Sequence, residues 1–122
     1  MSMKEHSLNG FKAISLAGDF DAHTVEQTRT EFANLIEADS ENLVFDMADV
    51  KFIDSSGIGA LVFLFKRLAV EKRTMCLVGL SGQPARLISL LRIDQVIETH
   101  DSMSHFLKQS DKQFTQPATV GS

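Results

Sequence analysis

What this chain lacks narrows what it can be. It has a single cysteine, Cys76, so no disulfide can close within it. Cys76 sits in an apolar run and reads as a small core residue rather than a reactive thiol. The missing cysteine framework fits a reducing compartment. No apolar stretch approaches the roughly 18 residues that a membrane span needs. Met1-Ser2-Met3-Lys4-Glu5-His6 has no apolar signal region. The expectation is a cytoplasmic protein that does not enter a membrane. Basic charge is also scarce: 12 Lys and Arg face 16 Asp and Glu, for a net charge of −4. A nucleic-acid binder carries a basic face, so nucleic acid is not expected as a partner.

The chemistry-bearing motifs are mostly missing as well. A P-loop needs a glycine-rich cradle followed by Lys and Ser or Thr, and none exists. Gly57-Ile58-Gly59 lacks the third glycine of a dinucleotide fingerprint. A hydrolase elbow of the form Gly-x-Ser-x-Gly fails at Ser55, because Ile53 stands where the first glycine belongs. It fails at Ser56 because Asp54 stands there. None of His6, His23, His100 and His105 has a pattern that marks a catalytic base. His100-Asp101 and His105 are five apart, a poor match to one helical face, and His23 near Asp19 and Asp21 is a weak constellation for a metal. The expectation is a non-enzyme with no metal and no cofactor of its own.

What remains is enough for one domain. The chain has 122 residues, of which 43% are hydrophobic and 23% charged, so one real core is affordable and a second is not. Asn9-Gly10 is a hairpin signal, which makes residues 3–8 a first, antiparallel edge strand. Phe11 to Ala17 alternates, with Ile14 and Leu16 on one face and Phe11 and Ala13 on the other. Gly18-Asp19-Phe20-Asp21 reads as a turn. Thr24 followed by Gln27 resembles a capping box, and Val25, Phe32, Leu35 and Ile36 give a helix over 23–38. Leu43 to Met47 is nearly continuous in apolar residues, as expected for a strand covered on both faces. A helix over 56–73 carries the stripe Ile58, Leu61, Val62, Phe65, Leu68 and Ala69. Met75 to Gly79 is another buried strand. Pro84 sits near the start of a short helix ending near Arg92, Val96 to Thr99 is a last strand, and 101–110 a closing helix. The order β-β-α-β-α-β-α-β-α predicts a mainly parallel mixed α/β sheet of about five strands and about four helices. The domain spans 1–110, and 111–122 reads as a disordered tail.

The stretch that organises this pattern is Lys51 to Ala60. An apolar run ends, Asp54-Ser55-Ser56-Gly57 follows, and the longest helical pattern begins. Two hydroxyls therefore stand at a helix start, where N–H donors are unpaired and negative charge is favoured. Asp21 and Asp54 both precede predicted helices, which suits capping. On the helix after Asp54, Gly59, Phe63 and Val70 fall opposite the core stripe, flanked by Lys66 and Arg67. Apolar residues outside the core stripe mark a candidate partner surface.

Gly18-Asp19-Phe20-Asp21-Ala22-His23-Thr24, Leu43-Val44-Phe45-Asp46-Met47 and Phe52-Ile53-Asp54-Ser55-Ser56-Gly57-Ile58-Gly59 together resemble the STAS domain, and more narrowly the bacterial anti-sigma factor antagonists. The resemblance covers residues 5–108. It implies a single STAS-like domain that acts as a partner switch. Ser55, directly after the motif aspartate, takes the place of the serine that a kinase-like anti-sigma factor phosphorylates. Ser56 stands where that family has Ser, Thr or Ala. Asp21, Asp54, Gly57 and Thr24 match positions that support the phosphosite. Gly59, Phe63, Lys66 and Arg67 are the expected partner-binding set. The unphosphorylated form would bind the anti-sigma factor, and a PP2C-type phosphatase would reset the switch. Similar domains also regulate biofilm, secretion or second-messenger enzymes, or serve lipid-transport complexes, which is the alternative reading.

Overall fold

The structure is a computed structural model and describes residues 2–8, 10–38 and 41–109. Five strands form one sheet in chain order: β1 (Ser2–Leu8), β2 (Phe11–Phe20), β3 (Asn42–Ile53), β4 (Met75–Val78) and β5 (Glu98–His100). β1 pairs antiparallel with β2, as the hairpin signal predicts, and the other pairs are parallel. Each crossover thus steps one strand in the same direction. Right-handed crossovers that all march one way put their helices on a single face. These are α1 (Ala22–Gln27), α2 (Arg29–Ala38), α3 (Ser55–Val70) and α4 (Gly82–Leu90), the last followed by a 3₁₀ turn at Ile93–Gln95.

Burial follows from this layering. Ile14, Leu16, Phe45, Met47 and Leu77 face the crossover helices and pack with Leu35, Leu61, Leu64, Leu68 and Ile88. On the opposite face Phe11, Ala13, Val44, Cys76 and Val78 form a smaller cluster, covered by Met103, Phe106 and Leu107. Those three lie on a closing helix at 103–109. Phe106 meets Phe11 edge to face, with centroids 5.1 Å apart. Burying Leu61, Leu64 and Leu68 contributes roughly 2 kcal/mol each. That is comparable in sum to the net stability of a small domain, so α3 is held firmly against the sheet.

Several boundaries differ from the sequence expectation. The helix expected over 23–38 is broken at Thr28 (φ −100°, ψ 9°) into α1 and α2. The Thr28 hydroxyl donates to the Thr24 carbonyl at 2.8 Å, a back-bond that bends helices at buried Thr. The turn expected at Gly18 to Asp21 is instead the irregular end of β2. Register shifts occur between Ser15 and Ala17 and between Gly18 and Asp19, and Gly18 supplies a φ of +104°. The strand thereby continues to Phe20, which is fully buried. β3 likewise runs 12 residues without a break, through Ile53. The core stripe of α3 uses Leu64, while Val62 and Phe65 are only half-buried and Ala69 is exposed. The tail expected at 111–122 lies outside the described residues.

Arg73, only 4% exposed, ties the layers together. Its guanidinium donates to the carbonyls of Leu35 (3.0 Å), Ile36 (2.9 Å) and Glu41 (2.9 Å). These include last-turn carbonyls of α2 that lack an intrahelical donor.

Candidate functional site

The parallel strands β2 and β3 end side by side, so the helices that follow them also start side by side. Asp21 caps α1 and Asp54 caps α3, both with extended backbone. Asp21 Oδ1 accepts from the Thr24 N–H (3.1 Å), and the Thr24 hydroxyl accepts from the Asp21 N–H (2.9 Å). The capping box is therefore Asp21 with Thr24, not Thr24 with Gln27. The Thr24 N–H holds the Asp21 carboxyl below its usual value, because a bond to the charged form favours it.

Asp54 does two things at once. Its Oδ1 accepts from the Gly57 N–H at 3.0 Å, which caps α3. Its Oδ2 accepts from the Ala22 N–H at 3.2 Å, at the first residue of α1. One carboxylate thus joins two helix N-termini, each of which favours negative charge. The Asp54 N–H in turn points at the Phe20 carbonyl (3.4 Å), tying the junction to the end of β2.

Gly57 is required by close approach. A Cβ there would lie 2.3 Å from the Phe20 carbonyl oxygen and 2.7 Å from Ile53 Cγ1. The absence of a side chain lets α3 start directly against β2. The two hydroxyls behave differently from the carboxylates. With Asp54 as the cap, neither Ser55 nor Ser56 caps α3. Ser55 is exposed and Ser56 half-buried. Ser55 occupies the first position of α3 and holds a hydroxyl with no hydrogen bond among the described residues.

Further along α3, Gly59, Phe63, Lys66 and Arg67 are all exposed. Phe63 is 57% and Val70 80% exposed, so both stand in solvent. The Arg67 guanidinium lies 5.9 Å from the Phe63 ring centroid. Beside Phe63, an open groove of about 350 Å³ runs between α2 and α3, lined by Val25, Phe32, Ile36, Ala60 and Arg67. Phe63 is eight residues from Ser55, about 12 Å along the helix axis.

One residue of this site has no signal in the sequence. The Gln83 amide, in the first turn of α4, donates to the Ile53 carbonyl (2.8 Å) and accepts from the Ile53 N–H (2.9 Å). It pairs with the last residue of β3 as another strand would. The run Ser81 to Pro84 signals only a helix start, and nothing local says where a glutamine side chain will reach.

Comparison with known proteins matches this geometry to a family. The model of the STAS domain matches residues 3–105. The chain belongs to the STAS domain family. A relative in Listeria monocytogenes, the anti-sigma-B factor antagonist, is 29% identical over 85 residues, covering 70% of this chain and 75% of its own. An anti-sigma factor antagonist from Mycobacterium paratuberculosis shares the fold with a TM-score of 0.79 at 22% identity, covering 88% of this chain and 92% of that one. The Bacillus cell fate determinant SpoIIAA, in its phosphorylated form, superposes with a TM-score of 0.68 at 18% identity, covering 89% and 99%. The single STAS-like domain expected from the motifs is thus the fold observed. No helix among the described residues is long and apolar enough to cross a membrane.

Proposed function

We propose that this STAS protein is an anti-sigma factor antagonist switched by phosphorylation of Ser55. In the unphosphorylated state it binds a kinase-like anti-sigma factor, and that partner releases its sigma factor. Phosphorylation of Ser55 by the same partner blocks binding, and a PP2C-type phosphatase restores it. The observation that carries this reading is Ser55 itself: exposed, its hydroxyl without a hydrogen bond among the described residues, and leading α3 while Asp54 does the capping. The hydroxyl can be modified without dismantling the cap.

The physics is local. A phosphate adds about −1.5 to −2 charges at neutral pH. At the start of α3 the helix field tolerates that charge, so the domain need not rearrange. At an interface the phosphate stands beside Asp54 and the α1 cap Asp21, and burying it there without a matching cation costs several kcal/mol. A loss of only about 2.8 kcal/mol already weakens binding about a hundredfold. Gly59, Phe63, Lys66 and Arg67 supply the rest of the partner face.

The test combines phosphosite mapping with affinity. Incubation with the cognate anti-sigma factor, ATP and Mg²⁺ is expected to place one phosphate on Ser55, read by mass spectrometry. Ser55→Ala keeps partner affinity and Ser55→Asp loses it. Full phosphorylation of the Ser55→Ala variant would refute the site, and equal affinities of the two variants would refute the electrostatic mechanism.

A further inference from the structure

At the far edge of the sheet, remote in sequence from Ser55, two histidines meet. His100 ends β5, and His105 lies on the closing helix at 103–109. Their spacing of five residues suits neither one helical face nor one strand face. The chain reverses between them, however, and that turn brings the rings together. Their Nδ1 atoms are 3.4 Å apart and their centroids 5.5 Å apart. On the other side of His100, Nε2 lies 2.5 Å from Glu98 Oε2. Neutral imidazoles satisfy all of this with one tautomer each. His100 Nε2–H donates to Glu98, which leaves His100 Nδ1 as an acceptor. His105 Nδ1–H then donates to it.

We infer that His100 and His105 form a two-imidazole site for a divalent transition-metal ion of the zinc class. Three observations carry this. The first is the span: a tetrahedral Zn²⁺ with bonds of about 2.0–2.1 Å sets its nitrogens about 3.3–3.4 Å apart, and the two Nδ1 atoms are 3.4 Å apart. The second is the backing of His100 by Glu98. A ligating histidine typically gives its other ring N–H to a carboxylate, which fixes the tautomer and makes the free nitrogen more basic. The third is access. His105 and Glu98 are exposed, so an ion can enter without opening the core. For both Nδ1 atoms to bind, His105 moves its ring proton from Nδ1 to Nε2 by exchange with solvent, so both rings stay neutral and no net proton is released. Among the described residues no cluster of three or more ligating side chains occurs, so water completes the shell. A site of this kind takes Zn²⁺, Ni²⁺ or Cu²⁺ and rejects Mg²⁺ and Ca²⁺, which prefer oxygen ligands.

Such an ion would join β5 to the closing helix. That helix is otherwise held over the second face of the sheet by Met103, Phe106 and Leu107. Metal bound to the folded state alone raises its stability by mass action. The experiment is calorimetric titration of the full chain with Zn²⁺ at neutral pH, with Mg²⁺ as control and thermal unfolding in parallel. Saturable one-to-one Zn²⁺ binding, a raised melting temperature and no response to Mg²⁺ are expected. His105→Ala should abolish both the binding and the thermal shift. Its ring is exposed, so the fold should survive. Glu98→Gln should weaken binding about tenfold. A double substitution of the other two histidines, His6→Ala with His23→Ala, should leave binding unchanged. The proposal is overturned by an absence of saturable binding, by binding that survives His105→Ala, or by binding lost with His6 and His23.

Discussion

Two glycines of α3, two residues apart, should respond in opposite ways to the same added methyl group. Both Gly57 and Gly59 lie in the helix, where Ala is favoured over Gly by about 1 kcal/mol. At Gly59 a Cβ would meet nothing within 4 Å. Gly59→Ala should therefore stabilise the protein by about 0.5–1 kcal/mol. At Gly57 the Cβ would sit 2.3 Å from the Phe20 carbonyl oxygen, 2.7 Å from Ile53 Cγ1 and 2.9 Å from Phe20 Cδ2. The oxygen belongs to the last residue of β2, and both side chains are fully buried, so none of them can swing aside. Overpacking of this kind costs about 1–3 kcal/mol. Shifting the start of α3 also loosens the Asp54 cap on the Gly57 N–H, for about 1 kcal/mol more. After the helix-propensity gain, Gly57→Ala should be destabilising by about 1–3 kcal/mol, or about 4–12 °C in melting temperature. The chain has no Trp and no Tyr, so urea unfolding is best followed by far-UV circular dichroism. Equal slopes with opposite shifts of midpoint are expected. A Gly57→Ala protein as stable as wild type would refute the close-approach argument, and a similar loss for Gly59→Ala would show that the helix, not the contact, sets the cost.

Two further perturbations probe the rest of the fold. Arg73→Ala removes a buried guanidinium that satisfies three carbonyls, and should cost about 3 kcal/mol in urea unfolding; a loss below about 0.5 kcal/mol would mean that those carbonyls find water instead. Burial, with a smaller contribution from Glu98, pushes the Cys76 thiol up to about 12 from 9.0. Its contribution to stability is fully present below 9.0 and is lost as pH rises toward about 12, since the unfolded thiol ionises first. A Cys76→Ala variant should show a flatter decline over that alkaline range, and labelling of native Cys76 by a thiol reagent at neutral pH should track unfolding. Rapid labelling of the folded protein would contradict the burial.

Much of the domain was legible because its physics is local or periodic. The alternation of Phe11 to Ala17 assigns two faces, and the structure keeps both: Ile14 and Leu16 lie under the crossover helices, Phe11 and Ala13 under the closing helix. The order of strands and helices sets a mainly parallel sheet, because only crossovers can join such elements. Asp21 and Asp54 could be placed as caps, since capping depends on the next three residues alone. The motif around Ser55 named the family before the sheet was known. Errors arose where a distant contact overrode a local preference. Gly18 to Asp21 has turn chemistry, but pairing with β3 keeps it extended. The capping box is a different case: Thr24 with Gln27 and Thr24 with Asp21 are equally local pairs, and the helix start at Ala22 decides for Asp21.

The sequence by itself determined the order of the main elements and the two faces of the sheet, and it offered Asp21 and Asp54 as caps. Each of those depends on residues within a few positions of one another. Only the tertiary structure decided how the ends meet. It set Asp54 across the start of α1 at Ala22, brought Gln83 onto Ile53, and gave Gly57 its reason in the Phe20 carbonyl. It also turned the five-residue spacing of His100 and His105 from an argument against a metal into a 3.4 Å approach. Spacing along a chain predicts a contact only when the path between the residues is one regular element. These contacts join different elements, so they exist only once the sheet has brought those elements together.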